Sequence, residues 1–177
     1  MALNVHVVGV GMVPFVKPGT SDPYHVMGAQ AARQALNDAG IDYRLIEQAY
    51  VGYVFGDSVA GQAAIYGVGL TGIPVINVNN NCATGSTALF LARQAVASGA
   101  VECALALGFD QMVPGPLKGA WTDRPSPMTR FVERMTEDQG YDEKAPRAAQ
   151  FFAGAARAYI DQYGIDKSTF ARISVKA

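Results

Sequence analysis

The side chains of this 177-residue chain best suited to covalent or proton-transfer chemistry are two cysteines, Cys82 and Cys103, and two histidines, His6 and His25. Cys82 stands out by position. Before it, Val75, Ile76 and Val78 are β-branched and follow the Gly72 and Pro74 punctuation, so they read as a short buried strand that Asn79, Asn80 and Asn81 interrupt. After it, from Gly85, small or apolar residues at Ala88, Leu89, Ala92, Ala95 and Val96 make one helical face that stops at Gly99. Cys82 therefore lies where a strand turns straight into a helix. The first turn of a helix carries unpaired N–H groups and the positive end of the dipole, which favour a thiolate, the reactive form of cysteine. The same groups can hold an oxyanion on an attacked carbonyl, and the small Ala83, Gly85 and Ser86 leave room for an acyl group. Two readings remain open on these residues: an activated nucleophile, or an inert packed thiol of the common kind.

A cysteine nucleophile needs a group to take its proton, usually histidine. His6 falls inside an apolar run at residues 5–10 and reads as buried on a core face, while His25 reads as the first turn of a surface helix. Neither lies in a strand-end loop, and both read as structural. A Cys-His hydrolase would need one of them to reach Cys82. Cys103, inside the apolar run at 103–107, reads as core.

The elements that must position Cys82 follow from pattern. Residues 5–10 read as a first strand, ending in Gly9 and Gly11; Pro14 replaces the third glycine of a dinucleotide fingerprint, so this is a turn. A helix is expected after Ser21 and Asp22, capped by them, running through Met27, Ala31, Ala35 and Leu36 to Gly40. Residues 48–55 read as the second strand, 62–70 as a short helix, and 102–109 as a fourth strand buried on both faces. Strands alternating with helices give an α/β fold, a mostly parallel sheet with covering helices. Reactive groups collect beyond the strand carboxyl ends of such sheets. Cys82 lies there, as do the Gly9 turn, Gly56 and Asp57, and Asp110 and Gln111, each of which could line a pocket or be only a turn. From 110 to about 145 the periodicity disappears, and Met112, Met128 and Met135 read as core filler. A helix then opens at Pro146, with Ala149, Phe152, Ala153, Ala156, Tyr159 and Ile160 on one face and Gly164 beyond it. Another starts after Asp166, capped by Ser168 and Thr169, and the sequence stops inside it.

Composition narrows the partners. The chain is half apolar, with a formal charge of −1 and a pI near 6.1, and its basic residues are dispersed. Neither nucleic acid nor an anionic membrane is expected as a partner. No apolar run approaches a membrane span, the start lacks the charge of a secretory signal, and two cysteines suit a reducing compartment. No metal site is expected.

The run Asn79-Asn-Asn-Cys-Ala-Thr-Gly-Ser-Thr-Ala-Leu-Phe-Leu-Ala-Arg93, with Val51-Gly-Tyr-Val-Phe-Gly-Asp-Ser58 and Thr71-Gly-Ile-Pro-Val-Ile-Asn-Val78, closely resembles the thiolase superfamily. The branch is the sterol carrier protein x type and its bacterial thiolase-like lipid-transfer relatives. The match runs from Val8 to about Phe109 and more loosely through Tyr159 to Ile173. The resemblance implies that Cys82 is the acyl-accepting nucleophile of a 3-ketoacyl-CoA thiolase, an acetyl-CoA C-acyltransferase of lipid or sterol side-chain degradation. It implies no permanently bound cofactor, coenzyme A as co-substrate, an acyl-CoA substrate, and a homodimer or homotetramer with the segment around Val78 near the subunit contact. It also implies residues 1–109 as the first-half core of an αβαβα sandwich and 110–177 as the loop insertion with helices. The second half, which supplies the activating histidine and an acid-base cysteine, is absent from this sequence. A fragment inactive by itself is expected. The likeness is poor across the insertion, so Lys118, Arg124, Arg130 and Arg134 read as solvated surface and no coenzyme A contact is assigned. A bacterial cytoplasm or a peroxisome both suit the reading, although the final residues carry no peroxisomal tripeptide. A β-ketoacyl synthase-like condensing enzyme and a non-catalytic thiolase-like scaffold or partner subunit are the alternatives.

Overall fold

The computed structural model describes residues 4–115, 121 and 123–177, and the chain divides into two compact units, Met1–Pro114 and Gly115–Ala177. In the first unit three strands, β1 (Gln48–Gly52), β2 (Val75–Val78) and β3 (Ala104–Gly108), form a parallel sheet in the order β2-β1-β3. Three helices cover it: α1 (Tyr24–Ala39), α2 (Ala60–Tyr66) and α3 (Thr84–Ala97). Ala49 stands opposite both Val75 and Leu105, and Gly52 opposite both Val78 and Gly108. Because side chains alternate along a strand, Ala49, Val51, Leu105 and Leu107 point to one face, where they bury against Ala32 and Leu36 of α1 and Ala60, Ala64 and Ile65 of α2. The other face meets α3, which buries Ala88, Ala92 and Ala95.

Residues 5–10, expected as a buried first strand, belong to no strand, and His6, Val7, Val8 and Val10 are exposed. Central β1 already has a partner on each side, and this segment finds its partners on α1. The Val10 amide donates to Asp38 Oδ2 (2.9 Å) and the Met12 amide to Gln34 Oε1 (3.0 Å). Gly9 and Gly11 allow the approach, since a Cβ on either would strike the α1 backbone at Ala35 and Ala31. Gly9 is thus a contact with a helix and not a turn at a strand end. Helix α1 starts at Tyr24 with no side-chain cap from Ser21 or Asp22; Gln111 Oε1 accepts the Tyr24 amide (2.9 Å) instead. It ends on left-handed Gly40, as its sequence predicts (φ 65°).

The expected strand at 48–55 stops at Gly52, because Asp110 Oδ1 takes the amides of Val54 (3.0 Å) and Phe55 (2.8 Å) and turns the chain away. The helix expected at 62–70 starts two residues earlier and ends at Tyr66. Strand β3 is not buried on both faces: Leu105 and Leu107 are buried while Ala104 and Ala106 are half-buried, as suits an edge strand. Val75, Ile76 and Val78, on the opposite edge, are also half-buried.

The second unit contains α4 (Thr129–Gln139), α5 (Arg147–Tyr163) and α6 (Ser168–Lys176). Helix α4 occupies a stretch without a recognised period; it buries only Met135 and displays Arg134 toward Glu137 and Asp138, one turn on. On α5 the expected apolar face is partly overturned: Ala156 and Ile160 are half-buried, as are Phe151 and Gly154, but Ala149, Phe152, Ala153 and Tyr159 are exposed. Gly154 sets that rotation, since a Cβ there would run into the Gln139 side chain of α4. Gln150 then fastens the loop between them, donating to Asp142 O (2.8 Å) and Ala145 O (3.0 Å) and accepting from the Asp142 amide (2.9 Å). Neither Ser168 nor Thr169 caps α6; the Asp166 carboxylate accepts the Ser168 amide (2.7 Å), which holds that carboxyl below its usual range.

Candidate active site

Strand β2 ends at Val78 and α3 begins at Thr84, so five residues turn the chain from the sheet onto its α3 face. Asn81 makes the turn in the left-handed region (φ 50°), a conformation asparagine tolerates better than most residues. Ala83 and Thr84 donate back to Asn80 O and Asn81 O (3.1 Å each), closing the entry to the helix. Cys82 is carried on this turn, one residue before the Ala83 N-cap, and its side chain is exposed. Among the described residues the amides of Cys82, Gly85 and Ser86 donate to no carbonyl or side chain. These are the free N–H groups that the start of a helix offers to a negative charge. A thiol open to solvent beside unpaired amides can attack an electrophilic carbonyl, and the amides can hold the oxygen that becomes negative.

Side chains hold the turn from below. Thr84 Oγ1, on a residue only 5% exposed, donates to Val78 O (3.0 Å) and accepts from the Asn80 amide (2.9 Å). Asn80 Nδ2 donates to Thr87 Oγ1 (2.9 Å), which in turn donates to Ala83 O (2.9 Å). Three glycines seat the helix start on the sheet. A Cβ on Gly52 would lie 2.5 Å from Thr84 O, and one on Gly108 would lie 3.2 Å from Gly85 Cα. Sequence reasoning assigned no role to Gly52, Gly108, Thr84 or Asn80. The available signal was a glycine closing two apolar strands, at Gly52 and again at Gly108.

The other candidates disperse. Neither His6 nor His25 hydrogen-bonds Cys82; His25 is exposed and sets its ring edge-on against Tyr24, with centroids 5.4 Å apart. Cys103 is half-buried against the core, where burial and then the Glu47 carboxylate push its thiol up from the ordinary range. Asp110 and Gln111 are occupied as turn and helix-start acceptors. Gly56 and Asp57 line a cavity of about 230 Å³ with Tyr53, Ser58, Asn77, Val78 and Asn79, at the carboxyl ends of β1 and β2. Cys82 is not in its wall. In the second unit Arg124 pairs with Asp123 (2.8 Å) and lies 4.4 Å from the centre of the Trp121 ring, and Arg134 pairs with Asp138 (2.9 Å). Arg130 is exposed, and Lys118 lies outside the described residues. Among the described residues no three His, Cys, Asp or Glu side chains are grouped to hold a metal ion, and no helix is long and apolar enough to cross a membrane.

A parallel sheet flanked by helices, with an exposed cysteine on the turn from an edge strand into the helix behind it, defines an α/β protein of the cysteine-elbow class. The chain belongs to the thiolase family, matching "Thiolase, N-terminal domain" over residues 5–177. It is similar to sterol carrier protein 2 of Gallus gallus (51% identical over 178 residues, 99% of this chain) and of Homo sapiens (49% over 176 residues, 98% of this chain). The chain spans 32% of the length of each of these two relatives. It is also similar to benzoylsuccinyl-CoA thiolase subunit BbsB of Thauera aromatica, at 34% identity over 98% of this chain and 42% of that protein. Among solved structures, an Ltp2-ChsH2(DUF35) aldolase superimposes with a TM-score of 0.66 over 95% of this chain and 41% of that one, at 19% identity, a likeness of fold.

Proposed function

We propose that this chain is the nucleophile-bearing half of a 3-ketoacyl-CoA thiolase, and that Cys82 is the residue that takes the acyl group. Family membership supports thiolase chemistry in general. The observation that carries the finer reading is the exposed Cys82 thiol on the turn into α3, next to three amides that have no acceptor among the described residues. The Cys82 thiolate attacks carbon 3 of a 3-oxoacyl-CoA, and the carbonyl oxygen becomes an alkoxide facing those amides. Its collapse breaks the bond between carbons 2 and 3; the acyl group stays on sulfur as a thioester, and the enolate of acetyl-CoA or a homologue leaves and is protonated. The thiol of coenzyme A then attacks the Cys82 thioester, releasing a shortened acyl-CoA and the free cysteine. Two proton transfers in this sequence need an acid and a base. Neither histidine reaches Cys82, so the reading requires them from a second half. Two relatives are named for sterol carrier function and a third for a CoA thioester, which favours a branched or ring-bearing acyl chain on coenzyme A.

The test is acyl trapping on a polypeptide of the relatives' length that carries these residues. Acid quenching during turnover of 3-oxooctanoyl-CoA, followed by digestion and mass spectrometry, should find a hexanoyl thioester, the six carbons from carbon 3 onward, on the Cys82 peptide. Cys82→Ala should form none and lose at least about a thousandfold in turnover, the scale of removing a covalent nucleophile. An adduct on Cys103, or turnover surviving in Cys82→Ala, overturns the assignment.

A further inference from the structure

We infer that Thr84 is a positioning residue for Cys82, a buried hydroxyl clamp that holds the elbow against the end of β2. The inference rests on the reading of Cys82 as the acyl acceptor and adds the residue that fixes its direction. Among the described residues Thr84 is the buried polar residue outside the aromatics. Its hydroxyl spends both of its capacities on the turn: it donates to Val78 O, the last carbonyl of β2, and accepts the Asn80 amide, two residues before Cys82. The backbone on both sides of Asn79 is thereby tied to the first residue of α3. A second tie, Asn80 Nδ2 to Thr87 Oγ1 to Ala83 O, crosses above it and fixes the residue after Cys82. Cys82 is the free point of the loop that these bonds close, and left-handed Asn81 sets the direction in which it leaves. A valine at position 84 has nearly the same shape but takes the acceptor from the Asn80 amide and leaves Val78 O with the Tyr53 amide alone, whereas serine keeps the hydroxyl. The elbow should then relax in Thr84→Val and hold in Thr84→Ser.

The first measurement is the rate of Cys82 alkylation by iodoacetamide in the 177-residue chain, which needs no thiolase activity. Thr84→Val should slow it about tenfold, within the range that misplacing a reacting group produces, and Thr84→Ser should stay within about twofold of the unmodified chain. In the longer polypeptide the same pair should divide kcat, with Thr84→Val down about a hundredfold at little changed KM and Thr84→Ser restoring most of it. Should Thr84→Val fail to unfold cooperatively, hydrogen exchange of the Asn80 amide in the unmodified chain decides, because the clamp requires protection at a turn residue. Alkylation unchanged in a folded Thr84→Val, equal slowing by serine and valine, or an Asn80 amide exchanging as freely as an exposed one each overturns the clamp. Absence of thiolysis in every variant, with the alkylation pattern intact, keeps the clamp and removes the thiolase reading alone.

Discussion

Cys82 and Cys103 have the same functional group in opposite surroundings, and the contrast is measurable. Cys82 is exposed, while Cys103 is half-buried against the core with the Glu47 carboxylate beside it. Limiting iodoacetamide at neutral pH should therefore label Cys82 first, with peptide mapping as the readout, and preferential labelling of Cys103 would remove the elbow from consideration. Cys103 also makes a pH prediction. Its thiol is raised in the folded chain, first by burial and then by Glu47, so the folded state holds that proton after the unfolded state has released it. The contribution is complete below the ordinary thiol range, about 8.5, and declines as pH rises through it. Urea midpoints between pH 7 and 10 should fall more steeply for the unmodified chain than for Cys103→Ala. Parallel slopes would mean that Cys103 titrates alike in both states.

At the scale of elements, the elbow depends on how closely α3 sits on the sheet, and glycine substitutions separate closeness from conformation. Gly52→Ala puts a methyl 2.5 Å from Thr84 O, so either α3 lifts or β1 shifts; a loss of about 1–3 kcal/mol in chemical denaturation is expected, with slower Cys82 alkylation. Gly40→Ala has open space around it but a φ of 65°, so it should cost about 1 kcal/mol and leave Cys82 alkylation unchanged. Equal alkylation in both variants would dissociate the helix seat from the site. This division also explains what could be read from sequence. Gly40 and Gly164 announce helix ends because a left-handed cap is a local requirement. The elbow is legible for the same reason, as β-branched residues, an asparagine run and a small-residue helix are all local. Gly52 and Gly108 signal only that each closes an apolar strand, because the reason for each is a helix more than twenty residues away in the chain or the strand beside it. The apolar run at residues 5–10 misleads in the other direction: its composition suits a strand, but Gln34 and Asp38 on α1 supply its hydrogen bonds. Helix α4 escaped notice although Phe131, Val132 and Met135 fall at helical spacing, because that stripe is a single turn long among charged residues.

For the whole molecule, the sheet is covered unevenly. The face toward α1 and α2 holds the core, while an open groove of about 770 Å³ runs between α3 and β1, lined by Gln48, Tyr50, Leu91, Gln94, Ala95 and Ser98 among others. Leu89 and Phe90 of α3 are each 54% exposed, an apolar display that an isolated chain keeps in water only at a cost. On the proposed reading the chemistry is uneven in the same way. Cys82 would be the nucleophile and the amides beside it the oxyanion donors, but among the described residues no base is bonded to Cys82, and the proposed reaction must move a proton twice. Nucleophile and base act as a unit, so a nucleophile alone should retain almost none of the turnover. The 177-residue chain, supplied with acetoacetyl-CoA and coenzyme A, should consume neither above the uncatalysed rate, followed by loss of the acetoacetyl-CoA enolate absorbance, although iodoacetamide still modifies Cys82. The longer polypeptide should consume both, and replacing Cys82 in it should return the rate to that of the short chain. Thiolysis by the 177-residue chain itself would place a base within these residues, with exposed His25 the first to replace by alanine.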